Sequence, residues 1–151
     1  MSVLTTTTAL GAGLVGGTFM AFSTFVMPAL KRLPAHEGIA AMQSIDATAV
    51  RAPFMVPFIG TALLSAATVA TGIADGDGYR IGGGAAYLLG AFGLTIAYHV
   101  PRNDALDRVD PTAPDAPAHW QRYLREWIPG NHVRTLAGLA ATALLMVNPN
   151  V

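Results

Sequence analysis

VLTTTTALGAGLVGGTFMAFSTFVMPALKR, residues 3–32, carries no charged side chain until its closing Lys31-Arg32 pair. A run of that length exceeds the roughly 20 apolar residues that a helix needs to cross a bilayer. The basic pair ends it where cytoplasmic headgroups would lie. No basic n-region precedes the run, and it outlasts a signal-peptide core, so it reads as a retained span. Gly13 and Gly17 stand in the small-xxx-small spacing that lets membrane helices approach closely.

Three further stretches with almost no charge follow, which places spans at about 3–30, 53–74, 82–100 and 131–148, the last with Arg134 in its first turn. If each crosses, the links alternate between two faces. Arg80 is the one cation on the face that holds both termini. Lys31, Arg32, Arg51, Arg102, Arg108, Arg122, Arg125 and Arg134 all fall on the other. That bias predicts a multi-pass protein of the cell membrane, with both termini extracytoplasmic and the basic face cytoplasmic. Four spans fill more than half of the 151 residues, so residues 1–151 read as one integral-membrane domain. Charged residues make up only 12%, about half the share of a soluble domain. A formal net charge of zero gives no footprint for nucleic acid. The absence of cysteine removes thiolate-bound zinc and ordinary iron–sulfur clusters, so any metal needs His, Asp or Glu. The span cores hold no Asp or Glu, which speaks against a proton-coupled exporter.

The cytoplasmic links carry helical periodicity. Ile39, Met42, Ile45 and Ala49 recur every three or four residues after the break at Leu33-Pro34. On that helix Gln43 and Asp46 share a face. Asn103 stands where it would cap a short helix after the third span, and residues 111–117, with three prolines, read as a loop. Then Trp120, Tyr123, Leu124, Trp127 and Ile128 fall on one side, with Arg122, Arg125 and Glu126 largely on another. Aromatics in that arrangement suit a membrane interface, and Pro129-Gly130 reads as a break before the last span. The expected fold is all-α: a membrane four-helix bundle with two short amphipathic interfacial helices on the cytoplasmic side.

Two polar clusters then stand at the cytoplasmic ends of the third and fourth spans. One holds His99, Arg102, Asn103 and Asp104; the other holds Asn131, His132 and Arg134. Antiparallel neighbours bring such ends together, with Gln43 and Asp46 laid over them, into a polar pocket that suits a greasy molecule bearing one or two oxygens. Each residue also has a plainer reading. His99 suits a helix C-terminus, Asn131 with His132 suits a cap, and Trp127 suits an interfacial anchor. Arg134 either snorkels to phosphates or pairs with Asp46 or Asp104. His36 and His119 read as surface residues. His99, His132 and a carboxylate would compose a facial triad for non-haem iron, although no two histidines lie three or four apart. The sequence leaves the metal unknown, with iron and copper both open.

Four motifs occur in order between the spans: GTFMAFSTFVMPAL (17–30), AMQSID (41–46), YHVPRNDAL (98–106) and WIPGNHVRT (127–135). Together they make the chain resemble the anthrone-oxygenase-like family of small four-helix integral membrane proteins, also grouped as a domain of unknown function. The likeness covers nearly the whole length. Characterised members of that family use dioxygen to convert an anthrone into an anthraquinone, with no organic cofactor established. The resemblance implies site roles for Asn103 after the third span and for Trp127, Asn131 and Arg134 before the fourth. Two positions depart from the family pattern: Asp46, where relatives often carry Asn, and Ile128-Pro129-Gly130 between Trp127 and Asn131. The expectation is an integral-membrane oxygenase or oxidoreductase, of monooxygenase type, acting with dioxygen on a lipophilic phenolic or anthrone-like substrate. His99 or His132 would take a proton, and Arg134 with Asn131 or Asn103 would stabilise the oxyanion. Gln43, Asp46 and Trp127 would bind the substrate. The rival expectation is a non-enzymatic small membrane bundle that binds a lipid or quinone, or supports a larger membrane complex. Either way the lipid bilayer and a lipophilic small molecule are the expected partners, and a homo-oligomer stays open.

Overall fold

The computed structural model describes residues 2–148, and the single-domain reading of 1–151 extends past these at both ends, outside the described residues. Among the described residues there is no strand; helices take up nearly all of the chain. A first rod comprises α1 (Val3–Ala21), a π-helical stretch (Phe22–Val26) and α2 (Met27–Lys31). Helix α3 (Ala35–Ala49) follows, then α4 (Ala52–Asp75). A third rod comprises α5 (Gly78–Ala85), π-helical stretches at Ala86–Gly93 and Thr95–His99, and α6 (Val100–Asp107). Helix α7 (Ala116–Met146) completes the chain. It packs along α1 and the third rod, and α4 packs against α1 and α5.

Among the described residues three helical segments are long and apolar enough to cross a membrane: Val3–Lys31, Ala52–Asp75 and Gly78–Asp107. The chain thus has the form of a multi-pass membrane protein. Its surface supports this, because large apolar side chains point outward. Leu10, Leu14, Leu63, Leu89 and Leu136 are all at least 60% exposed, as lipid-facing side chains are. Small hydroxyls sit inside instead. Thr8 on α1 and Thr68 on α4 share a buried hydrogen bond of 3.0 Å. Each hydroxyl oxygen also lies 2.8 Å from a carbonyl of its own helix, so one hydroxyl donates to the other and that one donates back to its helix. In lipid, where no water serves a stray hydroxyl, such local bonds keep threonine compatible with a helix.

Local chemistry explains the irregular turns. Ser2 caps α1 by accepting from the Thr5 N–H at 3.1 Å. Asp75-Gly76-Asp77-Gly78 forms a tight turn: Gly76, at φ 68, ends α4 in the left-handed region open to glycine. Two of the π-helical stretches lead directly into prolines, Phe22–Val26 before Pro28 and Thr95–His99 before Pro101. A proline lacks its N–H and crowds the preceding turn, and a widened turn absorbs both.

Four expectations are corrected. The third rod does not end near residue 100 but runs to Asp107, so Asn103 lies within a helix and caps nothing. Helix α7 passes unbroken through Pro129-Gly130, so the second amphipathic segment is the first half of a 31-residue helix and not a helix of its own. The third rod supports that continuity. Tyr98 donates its hydroxyl to the Glu126 carbonyl at 2.9 Å, and the rings of Tyr98 and His99 lie where a Cβ on Gly130 would be, at 2.8–2.9 Å. Trp120, Tyr123 and Trp127 are buried, facing inward and not toward headgroups. They join Met27, Ile39, Met42 and Leu106 in one apolar cluster. Finally, the close helix approach falls on Gly16 and Gly138, where a Cβ on Gly138 would sit 2.7 Å from the Gly16 Cα. Gly17 faces open space.

Candidate functional site

Helix α3 lies across α6, and its polar face supplies the bonds that hold it there. Gln43 donates to the carbonyls of Leu106 and Val109, at 3.0 and 2.9 Å, and so closes the end of α6. One turn on, Asp46 Oδ1 accepts from Asn103 Nδ2 at 3.1 Å. The other atom of that amide, Asn103 Oδ1, accepts from the Tyr123 hydroxyl at 2.9 Å and from Trp127 Nε1 at 3.0 Å. With two donors on Oδ1, the amide orientation is set, and α3, α6 and α7 are tied at one point.

Arg134 stands further along α7, 5% exposed. One terminal nitrogen donates to Asn131 Oδ1 at 2.8 Å and the other to Thr95 Oγ1 at 3.1 Å. Its guanidinium carbon lies 4.2 Å from the Phe19 ring centre and 5.0 Å from that of Trp127, a favourable stacking for a desolvated cation. Asn131 is held in turn, since its Nδ2 donates to the Phe19 carbonyl and to Ser23 Oγ, each at 2.8 Å. Ser23 sits in the widened turn of the first rod.

Between these groups lies a cavity of about 270 Å3, lined by Phe19, Phe22, Met42, Phe54, Trp127 and Arg134 among others, with Asp46, Asn103, Asp104 and Asp107 at its polar side. Its volume is near the lower end for small-molecule sites. Two of the residues that line it carry a buried atom with no hydrogen-bond partner: Arg134 Nε, a donor, and Asp46 Oδ2, an acceptor. Burial, followed by repulsion from Asp107, pushes the Asp46 carboxyl from the usual 3.8 up to about 7. Arg134 pulls it back down and Asp104 adds to the rise. Desolvation and like charge therefore outweigh the cation, and Asp46 exchanges a proton near neutral pH.

The candidates named from the sequence divide accordingly in space. Asn103, Asp46, Trp127 and Arg134 meet at the cavity. Asn131 stands behind Arg134, and Gln43 behind the end of α6. His99 is fully buried but does not line the cavity. Its ring nitrogens lie 3.4 and 3.3 Å from the carbonyls of Leu94 and Trp127, and its ring meets that of Trp127 edge-on. His132 is exposed, with Nδ1 2.8 Å from Ser23 Oγ. Among the described residues no group of three or more His, Asp or Glu gathers in a metal-holding arrangement. The iron triad of His99, His132 and a carboxylate is accordingly not assembled, and no step through a metal is derived. His36 and His119 are exposed, as expected of surface residues. Phe19, Ser23 and Thr95 join the site without any signal of their own in the sequence, and Tyr123 joins it from the aromatic side of its helix. The spacing of Tyr123, Trp127, Asn131 and Arg134 by four, four and three does place them on one helical face.

A protein-family model described as anthrone oxygenase matches residues 42–144, more than half of the chain. The matched stretch takes in Asp46, Asn103, Trp127 and Arg134; Phe19 and Ser23 precede it. No curated protein and no solved structure matches the chain.

Proposed function

The chain belongs to the anthrone oxygenase family, and from that premise we propose that it is a membrane oxygenase that uses dioxygen to oxidise a lipophilic phenolic or anthrone-like substrate. The second half of α7 forms the fourth crossing of a four-helix bundle in this reading, with both termini extracytoplasmic and the cavity at the cytoplasmic end. One observation carries the chemistry: an unpartnered buried donor, Arg134 Nε, and an unpartnered buried acceptor, Asp46 Oδ2, belong to two residues that line one aromatic-lined cavity. A molecule that offers an acceptor to the first and a proton to the second satisfies both, and an unmet buried polar atom costs about 1–3 kcal/mol.

In the proposed reaction Asp46 Oδ2 takes a proton from the acidic methylene of a cyclic aromatic ketone. The electron pair moves into the ring, and negative charge appears on the carbonyl oxygen opposite, which accepts from Arg134 Nε–H. The carbanion gives its electrons to dioxygen, a C–O bond forms, and the distal oxygen takes the proton back from Asp46. Loss of the remaining C–H proton to Asp46 then breaks the O–O bond. A new carbonyl remains, and the departing hydroxide leaves as water with that proton. The sum is CH2 plus O2 to C=O plus H2O, with no other reductant required. Asp46 takes the base role because His99 and His132 do not line the cavity. Asn103, held by Tyr123 and Trp127, orients Asp46 by donating to its other oxygen. A positioned base contributes about 10²–10⁴-fold, and an oxyanion donor about 10²–10³-fold.

The test is oxygen uptake by the purified protein in detergent with an anthrone, read together with anthraquinone absorbance. One dioxygen consumed per quinone formed is expected, at a rate lowered about a hundredfold or more in Asp46→Asn and in Arg134→Gln. Absent uptake, with a bound lipid or a stoichiometric protein partner recovered instead, would favour a non-enzymatic bundle.

A further inference from the structure

The cavity is not evenly charged. Its deep wall is made by Phe19, Trp127 and Arg134, all buried, whereas Ala47, Val50, Val100, Asp104 and Asp107 line it while exposed. The exposed set marks the mouth, which is therefore apolar apart from two carboxylates. Including Asp46, three acids face the cavity against one cation. Neighbouring Arg102 does not balance them. It is turned to the other flank of α6, its guanidinium carbon 3.4 Å from the Tyr98 ring centre and its Nε 3.0 Å from Glu126. Arg134 Nε, buried and unpartnered, still calls for an oxygen from whatever enters.

We propose that Asp104 and Asp107 act as a charge filter at this mouth, admitting uncharged aromatic ketones and rejecting their carboxylated counterparts; the inference rests on the oxygenase reading of the same cavity. An entering anion passes two like charges before it reaches Arg134. At about 8 Å and an effective dielectric near 20, such repulsion weakens entry on the order of tenfold to a hundredfold after salt screening. A neutral ketone meets no such barrier. It becomes an anion only inside, when its proton passes to Asp46. At that moment the negative charge shifts away from the carboxylate that neighbours the rim acids and toward Arg134. The filter and the reaction thus use one field.

The test uses two unreactive probes, anthraquinone and anthraquinone-2-carboxylate, titrated against the full chain in phosphatidylcholine nanodiscs at pH 8, with tryptophan quenching as the readout. The affinity ratio of the two probes is compared between the unaltered protein and Asp104→Asn/Asp107→Asn, so that bilayer partitioning cancels. The expected result is a preference for the neutral probe that falls by about tenfold or more in the double variant. Raising the salt from about 50 to 500 mM narrows it only in the unaltered protein. Each single variant should fall between, which preserves the test if the pair does not fold. A ratio unchanged by the substitutions, or equal affinity of both probes for the unaltered protein, overturns the filter and leaves the oxygenase reading standing. Binding of neither probe overturns that reading and the filter with it.

Discussion

Replacing Asp46 with asparagine exchanges one oxygen for an amide nitrogen of nearly the same size. Its Oδ1 can still accept from Asn103, 3.1 Å away in the native protein. What is lost is a carboxylate whose proton affinity the fold has raised from 3.8 to about 7. Between those two values the folded protein holds a proton that the unfolded chain has already released. Stability therefore falls as pH rises across that window, and above it the full cost is present. At 1.36 kcal/mol for each tenfold change in proton affinity, the ceiling is about 4 kcal/mol. Water at the cavity mouth screens part of this, leaving roughly 2 kcal/mol. The variant should be more stable than the unaltered protein at pH 8, by about 4–8 °C in melting temperature for a chain of this size. At pH 4 the two should melt together. Turnover of an anthrone should meanwhile drop by about 10²–10⁴-fold, the contribution of a positioned base. The rising limb of kcat/KM near pH 7 should vanish with it. Melting followed by tryptophan fluorescence in detergent, at pH 4 and pH 8, reads the first half. An Asp46→Asn protein that melts lower at pH 8, or that keeps the native slope of stability against pH, would refute the account of a strained, proton-accepting carboxylate.

Arg134→Gln should lower kcat by about 10²–10³-fold with a smaller change in KM, because the donor acts chiefly on charge that develops during the reaction; steady-state oxygen uptake reads it, and undiminished kcat contradicts it. Gly138→Ala should destabilise by about 1–3 kcal/mol, since its new Cβ would press to 2.7 Å on the Gly16 Cα. Gly17→Ala, with nothing within 4 Å, should melt like the native chain. Asp77 is held down at about 2, first by the hydrogen bond from Asn148 and then by bonds from Arg80. Its contribution is therefore present above about pH 4 and lost as pH falls through about 2. Asp77→Ala should be less stable at neutral pH and should lose less than the native protein on acidification, as measured by circular dichroism.

Most of the architecture could be read along the chain, because lipid leaves uncharged runs few alternatives to helix. The segments Val3–Lys31, Ala52–Asp75 and Gly78–Asp107 follow from that, and α3 follows from its apolar periodicity. Helix α7 was harder. Pro129-Gly130 looks like a stop when only local propensity is weighed, and the Tyr98 hydroxyl that serves the Glu126 carbonyl comes from another rod. The same misplaced break hid the shared face of Tyr123, Trp127, Asn131 and Arg134. At the site, Asp46, Asn103, Trp127 and Arg134 were legible as polar or aromatic groups at span ends. The histidines attracted notice by their chemistry alone. Whether a side chain reaches the cavity depends on helix phase, and His132, adjacent to inward-facing Asn131, is turned out to the surface. Ser23 and Thr95 were invisible for a different reason: hydroxyls are common in these helices, and the prolines that follow the two widened turns do not tell which hydroxyl is turned inward.

The contact of Gly16 with Gly138 presses two backbones together just beneath Phe19, where Ala12, Val15 and Ala141 fill what space remains. The chamber above it is consequently walled off on that side. A guest of the proposed oxygenase would therefore leave by the mouth through which it entered.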